Sequence, residues 1–534
     1  MVNSIDPTDE QQRIIDEEGN IVVIARPGSG KTYTIVQKIK KILEKCYDYN
    51  GVIAISYTKK ASRELEQRFK VKGICKKSSF FGTIDNFYIS EIIIPFTKYL
   101  FNRHIDLRVE SELKNYPEYA ILRKIRNGMD EEKEALLIKS LSEGYIFLEI
   151  SGETALYILN KIHEARRYIQ ARYTHIFIDE YQDCGGIQHQ IFIRMLSLGL
   201  KGIAVGDIDQ AIYAFANRHS KYLTELTKNK EFNFYRITKN HRCHKSIEAY
   251  SLQLLGIAQP RLHIDTMRVL GVYCTGNEIS MAKLIAEHLP LIKKQHAVDN
   301  NCKIAILCRN KGSATNISKN IGVENKLFVD NALDVSKYQW SRFFADFLRD
   351  YFDENVFPVD VVDQLVDEEL DSSSYKRILK MVKELFDLEP YNLIHKIKVF
   401  EKLASQIYPE YESCDAMAEL GCVLKSQEQL NGYRPPADNE ICIMTLHKSK
   451  GLEFDVVFHM DLYDWIFPRR DISQEEYQQD LNLHYVGVTR AKKVCYIMQG
   501  TERYRPYQGD YWNAKPSPFF TLNGVENYRI DCKW

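Results

Sequence analysis

The sequence has no excess of charge of either sign and no long apolar segment. Its 534 residues include 72 Lys and Arg against 72 Asp and Glu, so the formal net charge is zero. A chain without net charge has no general attraction for nucleic acid, and any DNA site must therefore be a local basic patch. Because the sequence lacks an apolar run of membrane-spanning length and a basic leader followed by an apolar segment, we expect a cytoplasmic protein without membrane contact.

The sequence also lacks any Cys-x-x-Cys pair. Its twelve cysteines are scattered, several of them within apolar segments, which indicates reduced thiols rather than a disulfide framework. His241, Cys243 and His244 cluster, but no second pair of ligands accompanies them. The sequence therefore does not predict a zinc site.

Internal repeats and low-complexity linkers are missing as well, and short apolar strands alternate with helical stretches instead. A chain of 534 residues is too long for one hydrophobic core, and about three or four domains are expected. The strands fall into two zones, and each zone predicts a parallel sheet with crossover helices, hence an α/β fold. The predicted strands are 21–25, 52–57, 174–178 and 202–206 in the first zone, and 303–308, 440–444, 456–460 and 494–498 in the second.

Largely helical sequence interrupts each zone, which predicts two α/β cores that each hold a helical insertion. The boundaries lie where apolar strand patterns give way to helical periodicity. The expected domains are a first core over 1–87 and 165–232, its insertion over 88–164, a second core over 233–329 and 433–515, its insertion over 330–432, and a C-terminal tail over 516–534.

A Gly-rich turn follows the first strand and ends in Gly-Lys-Thr. In a P-loop of this kind the backbone N–H groups surround the α- and β-phosphates, Lys31 reaches the β- and γ-phosphates, and the Thr32 hydroxyl binds Mg²⁺. A chance match in a Gly/Ser loop is the alternative, but a strand before the turn and helical spacing after it favour a P-loop. The predicted phosphate loop comprises Ala25, Arg26, Pro27, Gly28, Ser29, Gly30, Lys31 and Thr32.

Two acidic residues follow the apolar strand 174–178, at the edge of the sheet where ligands bind in open α/β folds. Asp179 is suited to bind Mg²⁺, directly or through water, and Glu180 to act as general base toward the attacking water. The alternative is an ordinary polar turn after a strand, which explains the pattern less well in a chain that also has a P-loop.

These segments belong to an ordered set that resembles the motifs of superfamily 1A helicases of the UvrD/Rep type. The resemblance covers almost the whole chain. It implies two RecA-like P-loop cores that hydrolyse ATP or dATP with Mg²⁺ and act on DNA as a 3′–5′ helicase. Besides the P-loop, the matching segments are 8–11, 56–61, 82–85, 179–183, 205–213, 240–242, 444–454 and 485–491.

The resemblance implies which residues assist hydrolysis. Arg242 and Arg490, from the second core, would reach the γ-phosphate across the cleft, where such arginines are worth ~10³–10⁵ in rate in P-loop enzymes. Gln210, from the first core, would couple the γ-phosphate to the DNA site.

The resemblance also implies the nucleotide contacts, with some departures from the family pattern. Gln11 would bind adenine and Glu453 the sugar. His241 stands where the family usually has Tyr and would stack on adenine with less area, while Tyr33 replaces an Arg that often contacts the base. Arg26 stands where glycine is common, and its side chain points either to solvent or to a neighbouring carboxylate. These differences predict looser base selectivity.

Single-stranded or partly duplex DNA is the implied partner. Tyr57 and Phe215 occupy the family's stacking positions, although each could instead be a core aromatic at a strand end. Eight basic residues against two acidic ones between 59 and 77 predict either a phosphate-tracking stripe or a solvated helix face. Ala216, where an Arg is usual, predicts weaker translocation. The implied DNA contacts are Tyr57, Thr58, Lys59, Thr83, Tyr213, Phe215, Thr445 and His447.

A narrower resemblance is carried by segments 80–87, 90–96 and 165–169 and by the short insertions. They resemble the helicase subunit of Gabija anti-phage systems, which implies an ATPase–TOPRIM nuclease as partner. Two alternatives stay open: a DNA repair helicase that acts alone, and a nucleotide-gated DNA-sensing module with little unwinding.

The second insertion contains a candidate partner surface. Between 346 and 371 there are ten acidic residues and one basic residue, a composition that repels a phosphate backbone and suits a basic patch on a protein. We expect most aromatic side chains of this segment to fill the core of the insertion. The acidic residues proposed for the contact are Asp363, Asp367 and Glu368.

Overall fold

The computed structural model describes residues 6–56, 75–208, 221–328, 330–366, 371–505 and 510–534. The chain forms two compact units, and both predicted α/β zones lie in the first of them. Unit 1 comprises Met1–Phe87, His163–Phe328 and Pro436–Trp534, and unit 2 comprises Tyr88–Ile162 and Val329–Pro435.

Strands occur in both units of the described chain, and most of them lie in unit 1. In chain order they are β1 (Asn20–Ala25), β2 (Gly51–Ile55), β3 (Phe80–Gly82), β4 (Arg108–Glu110), β5 (Tyr145–Phe147), β6 (Tyr173–Ile178), β7 (Lys201–Gly206), β8 (Phe232–Ile237), β9 (Val269–Cys274), β10 (Ile304–Cys308), β11 (Asn325–Phe328), β12 (Ile441–Thr445), β13 (Phe454–His459), β14 (Ala491–Gly500), β15 (Glu502–Arg505), β16 (Asp510–Asn513) and β17 (Ile530–Lys533).

The first large sheet is parallel throughout, in the order β3-β2-β6-β7-β1-β8. Strands such as β1 (NIVVIA) and β2 (GVIAI) are almost continuously apolar, as expected of strands covered on both faces. The four strands predicted for this zone are confirmed, and β3 and β8 were not predicted. The first core was expected to end at residue 232, but β8 continues to Ile237 and pairs with β1 along its whole length. The strand β8 therefore belongs to the first core, and the expected boundary is wrong at this point.

The second large sheet is also parallel, in the order β11-β12-β10-β13-β14-β9-β17. Its four predicted strands are confirmed, and β9, β11 and β17 were not predicted. The segment expected to be a C-terminal tail contains β17, which pairs with β9 from Ile530 to Lys533. The α/β fold class with two RecA-like cores is therefore confirmed.

Helices of unit 1 pack on both sheets and fix the loops at the strand ends. Beside β1, for example, Ile21 and Val23 pack with Ile35, Val36 and Ile39 of the following helix in one buried cluster. The helices are Asp9–Asp16, Lys31–Lys45, Ile84–Phe87, His163–Arg172, Gly186–Ser197, Lys221–Lys228, Lys245–Leu254, Glu278–His296, Lys311–Asn320 and Gln474–Val488.

Unit 2 is built from the two helical insertions, which pack on each other. Lys337 Nζ lies 2.9 Å from Glu112 Oε2, and the Ser111 hydroxyl donates to the Lys337 carbonyl at 3.0 Å. The helices are Ile94–Phe101, Glu131–Ser142, Ser151–Lys161, Ala332–Val335, Gln339–Phe352, Pro358–Asp363, Ser372–Phe386, Ile397–Ile407, Cys414–Lys425 and Gln427–Asn431.

The acidic segment of the second insertion keeps most of its aromatic side chains inside. Phe347 is buried in the core of unit 2, and Tyr351 and Phe352 are partly buried against it, whereas Phe357 is 65% exposed. The Asp363 carboxylate accepts a hydrogen bond from the Tyr375 hydroxyl at 2.6 Å, so it already has a structural role. Asp367 and Glu368 lie outside the described residues.

No helix in the described part of the chain is long and apolar enough to cross a membrane. All twelve cysteines are free thiols. Among the described side chains, no group of three or more His, Cys, Asp and Glu is arranged to hold a metal ion.

Candidate nucleotide-binding site

The turn between β1 and the helix Lys31–Lys45 has the backbone of a phosphate-binding loop. Gly28 and Gly30 have φ values of +72° and +83°, in the left-handed region that favours glycine. Ser29 is fully buried, and its hydroxyl donates to the Arg26 carbonyl at 2.7 Å. The Ser29 hydroxyl therefore stabilises the loop backbone. Gly28 and Gly30 could not be replaced by other residues without strain.

Gln11 is bonded to this loop. Thr8 caps the helix Asp9–Asp16, and its N–H donates to Gln11 Oε1 at 3.0 Å. The other end of the amide, Nε2, donates to the Ser29 carbonyl at 3.0 Å. The residue expected to bind adenine is thus placed against the P-loop, and its contact with the base stays a prediction.

Lys31 lies between the two carboxylates that follow β6. Its Nζ atom is 3.1 Å from Asp179 Oδ1 and forms a second ion pair with Glu180 Oε1. Burial lowers the pKa of Lys31, but these two carboxylates outweigh burial and hold its pKa above the ordinary value. The predicted phosphate lysine and both predicted acidic residues are therefore brought together.

The two carboxylates differ in their electrostatics. Burial raises the pKa of Asp179 above its usual value, against the effect of Lys31. Burial also acts to raise the pKa of Glu180, but Lys31 and Lys450 outweigh it and bring that pKa down to about 2. Glu180 is thus ionised at neutral pH, as a proton acceptor must be.

Oxygen donors beside Lys31 fit a Mg²⁺ ion. Thr32 stands in the first turn of the helix after the loop, and Asp179 lies at the end of β6. A hydroxyl and a carboxylate are ligands that Mg²⁺ prefers, with the phosphates supplying others. Their roles as metal ligands stay a prediction.

Glu180 has a left-handed backbone, with φ +57°, and buried Gln182 supports it. The Gln182 amide donates to Glu180 Oε2, and its Oε1 atom accepts from the Asp207 N–H at 3.0 Å. Non-glycine residues in this region are uncommon and concentrate at functional sites. Gln182 therefore joins the ends of β6 and β7, a role that its position in DEYQD did not reveal.

The segment that leads into the second core lies directly on the P-loop. The His241 N–H donates to the Gly28 carbonyl at 2.8 Å, and a Cβ atom added to Gly28 would lie 2.4 Å from the Arg242 Cβ. Asn240 Oδ1 accepts from the N–H groups of Arg242 and Cys243 at 2.7 and 3.0 Å, which fixes this turn.

The Arg242 side chain has one unsatisfied donor. Its Nη2 atom forms an ion pair with Glu453 Oε1 at 2.6 Å, while its buried Nε atom has no hydrogen-bond partner in the described part of the chain. A buried donor without a partner is costly, and an anionic oxygen would satisfy it. Glu453 also contacts Lys492 at 3.0 Å, so the structure shows it engaged with cations, and its sugar contact stays a prediction.

Arg490 is placed differently from Arg242. It is 1% exposed, and its guanidinium donates to the carbonyls of Val486 and Leu452 at 3.1 and 3.2 Å. Burial lowers its pKa to about 10. Its donors hold loops of the second core together, and its reach to a γ-phosphate stays a prediction.

Lys450 links the two cores and was not singled out in the sequence. Its Nζ atom lies 2.7 Å from Asp183 Oδ2 and 3.8 Å from Glu180 Oε2. Lys450 belongs to the segment 444–454, and both carboxylates belong to 179–183. A lysine inside a matched motif was the available signal, but the sequence could not show that the two motifs meet.

Three of the residues expected to contact DNA are described. Thr83 is half-buried before the helix Ile84–Phe87, and Thr445 Oγ1 accepts from the Lys448 N–H at 3.4 Å. Burial, with the nearby charge of Arg309, lowers the pKa of His447 to about 4. Tyr57, Thr58, Lys59, Gln210, Tyr213 and Phe215 lie outside the described residues, as does Ala216.

The remaining positions at the P-loop are Ala25, Arg26, Pro27 and Tyr33. Ala25 and Pro27 are buried and Tyr33 is half-buried. The Arg26 N–H donates to the Ile237 carbonyl at 3.3 Å, and its charge acts on Glu248, whose pKa burial nevertheless raises. The direction of the Arg26 side chain, to solvent or to a neighbouring carboxylate, stays open.

The site combines a lysine in a Gly-rich loop, two carboxylates after the next strand but one in the sheet, and an arginine from a second α/β core. This combination defines a P-loop NTPase with two RecA-like cores. Residues 10–216 match the family model of an AAA domain, and residues 367–501 match the UvrD-like helicase C-terminal domain. The two matches show an AAA domain and a UvrD-like helicase C-terminal domain in this chain.

Several relatives span nearly the same length. The chain is 27% identical to the Gabija protein GajB of Bacillus cereus over 93% of this chain and 96% of the relative. It is 22% identical to the ATP-dependent DNA helicase PcrA of Staphylococcus aureus over 93% and 83%, respectively. It is also 22% identical to a probable DNA helicase II homolog of Rickettsia conorii over 97% and 96%.

Proposed function

We propose that this chain is a DNA-stimulated ATPase that moves along single strands with 3′–5′ polarity, and that it is the helicase-like subunit of a Gabija-type anti-phage complex. The ATPase is supported best by Arg242, whose main chain lies against the P-loop while its buried Nε atom has no partner among the described residues. A phosphate oxygen of ATP would supply the missing acceptor and close the two cores on the nucleotide.

In the proposed cycle, the triphosphate takes over the Lys31 ammonium from Asp179 and Glu180. Released from this ion pair, Glu180 orients the attacking water and accepts its proton. Thr32 and Asp179 would hold Mg²⁺, which neutralises phosphate charge when bound. Arg242 stabilises the charge that develops on the γ-phosphate, a contribution worth ~10³–10⁵ in rate in other P-loop enzymes.

Lys450 is the proposed link between DNA and hydrolysis. It lies in the same motif as Thr445 and His447, the predicted DNA contacts of the second core, and it reaches Asp183 and Glu180 in the first. A shift of this motif on binding DNA would move a positive charge beside the catalytic carboxylate. Such a link explains why DNA would stimulate hydrolysis.

The proposed partner is a nuclease of the ATPase–TOPRIM type, on the strength of the similarity to GajB along almost the whole chain. The acidic segment of unit 2 is the proposed contact. Phe357 and Val359 are exposed apolar residues of this segment, and Glu354 and Asp360 beside them are exposed acids. Aromatic anchors rimmed by charge are typical of protein interfaces.

The second candidate function is a repair helicase that acts alone, which the similarity to PcrA and to the helicase II homolog favours. A nucleotide-gated DNA-sensing module with little unwinding is the third. All three share the ATP site and differ in motion along DNA and in partner.

One experiment separates the two translocating candidates from the sensing module. The full chain is assayed for ATP hydrolysis with and without single-stranded DNA, and for displacement of streptavidin from either end of a biotinylated strand. A 3′–5′ translocase displaces streptavidin from the 5′ end. Displacement from the 3′ end would contradict the polarity, and DNA stimulation without displacement would favour the sensing module.

The partner is tested by co-purification with the product of the neighbouring gene. We expect Phe357→Ser combined with Glu354→Lys to weaken the complex, because the variant removes the anchor and reverses a charge beside it. Tyr391→Ser is the matched control, since Tyr391 is a similarly exposed aromatic of unit 2 at 64%. Copurification that survives the double variant would exclude this surface, and the absence of any partner would favour the repair helicase.

A further inference from the structure

An exposed tryptophan stands on a strained backbone in the second core. Trp465 has φ +72° and is 52% exposed. For a bulky residue a left-handed backbone is a genuine outlier, and such strain persists only where the surrounding structure fixes it. The neighbouring Asp464 N–H donates to the Lys515 carbonyl at 2.9 Å, and Tyr463 pairs with Pro516. Residues held in this way cluster at ligand sites.

An arginine covers part of the Trp465 ring. The Arg470 guanidinium lies 3.3 Å from the ring centroid, within the range of a cation–π contact. Arg470 is exposed and forms no ion pair with any described carboxylate, including Asp464 and Asp471 close by in the chain. Its positive charge is therefore uncompensated, next to an aromatic surface that solvent reaches.

The segment that holds this pair interacts electrostatically with the motif that is proposed to contact DNA. The Arg469 N–H donates to buried Asp480 Oδ2 at 3.1 Å, and Arg309 Nη2 donates to Asp480 Oδ1 at 2.9 Å. The same charges act on His447. Asp480 is thus bonded to the Trp465 segment, and its charge acts on His447, the predicted DNA contact of the second core.

We propose that Trp465 and Arg470 form a further contact for single-stranded DNA. A base stacks on the part of the indole ring that Arg470 leaves exposed, and the Arg470 guanidinium binds an adjacent phosphate. Stacking of this kind tolerates any base, as a translocase requires. A protein partner would also use Trp and Arg, but uncompensated positive charge beside the DNA motif favours nucleic acid. The inference rests on the proposed DNA-dependent function.

Trp465→Gly is the informative variant, because glycine is the residue that φ +72° favours. It removes the ring and relieves the backbone, so we expect unchanged or higher thermal stability. Binding of a fluorescent oligo-dT to the full chain should weaken at least ~5-fold, the loss expected for one stacked base. Trp465→Phe should retain most of the affinity, and Arg470→Ala should reduce the dependence of affinity on salt.

Phe234→Ala is the matched control. Phe234 is an exposed aromatic at 41%, and Arg236 lies over its ring at 5.1 Å, but it stands on edge strand β8 of the first sheet. Its loss should leave oligo-dT affinity unchanged. If wild-type protein binds oligo-dT and Trp465→Gly binds it equally well, the inference is wrong while the proposed function stands. If wild-type protein does not bind oligo-dT at all, both are wrong.

Discussion

Lys450 of the second core forms an ion pair with Asp183 of the first, with 2.7 Å between Nζ and Oδ2. The lysine also lies 3.8 Å from Glu180, the proposed general base. Both side chains of the shorter pair are largely buried, at 12% and 4% exposure, so the contact is only weakly screened by solvent. The position of this motif in the second core therefore affects the charge around the proposed general base.

We expect Lys450→Ala to change the pH dependence of ATP hydrolysis. The folded-state pKa of Glu180, about 2, lies below its ordinary value, so its ionised form is favoured and is lost only as pH falls. Removing Lys450 removes one cause of that lowering, and the acidic limb of the pH–rate profile should move to higher pH. Lys41→Ala, which breaks a surface pair with Asp16 at the same 2.7 Å, should leave the profile unchanged. If the acidic limb of the pH–rate profile does not move in Lys450→Ala, then Lys450 does not influence the ionisation of Glu180 during hydrolysis.

Lys31→Ala and Glu180→Gln should each nearly abolish ATP hydrolysis. Lys31 supplies positive charge to the phosphates, and loss of a general base costs about 10²–10⁴-fold in rate. Glu180→Gln should still bind ATP, because Lys31, the loop and Asp179 remain. Steady-state hydrolysis and binding of a fluorescent ATP analogue measure the two effects. Near-normal turnover in either variant would place the active site elsewhere.

Gly28→Ala should disrupt the contact between the P-loop and the second core. The added Cβ would lie 2.4 Å from the Arg242 Cβ, and φ is +72°. We expect Gly28→Ala to lower ATP affinity more than backbone strain at a positive φ would by itself. Gly199→Ala is the control, because it has φ +97° but meets no atom within 4 Å. Equal ATP affinity in the two variants would show that Arg242 does not press on the loop.

Arg242 and Arg490 should separate into a catalytic and a structural role. Arg242→Ala removes the unsatisfied donor and should lower kcat with little change in Tm. Arg490→Ala leaves the Leu452 carbonyl without its side-chain donor, while the Val486 carbonyl keeps a hydrogen bond from the Thr489 hydroxyl at 3.1 Å. A buried group left unpaired costs about 1–3 kcal/mol, so Tm should fall. Calorimetry and single-turnover hydrolysis distinguish them. A normal Tm in Arg490→Ala would contradict the structural role and favour the predicted contact of Arg490 with the γ-phosphate.

The sequence by itself determined the fold class, the P-loop and the acidic pair after β6. Near-continuous apolar runs identified the central strands of both sheets, since only strands covered on both faces need them. Glycines at Gly28 and Gly30 predicted a backbone that other residues avoid, and the folded loop has that backbone. Edge strands escaped prediction because FNFYRI in β8 is half exposed and β17 is only four residues long.

Only the tertiary structure decided which charges meet. Lys450 and Asp183 are 267 residues apart in the chain, and Arg242 and Glu453 come from different motifs. The Arg490 guanidinium donates to carbonyls of the second core, because a nearly fully buried charged group needs hydrogen-bond acceptors close to it. Pairings of this kind depend on how the two sheets are placed, and no local pattern of residues specifies that distance.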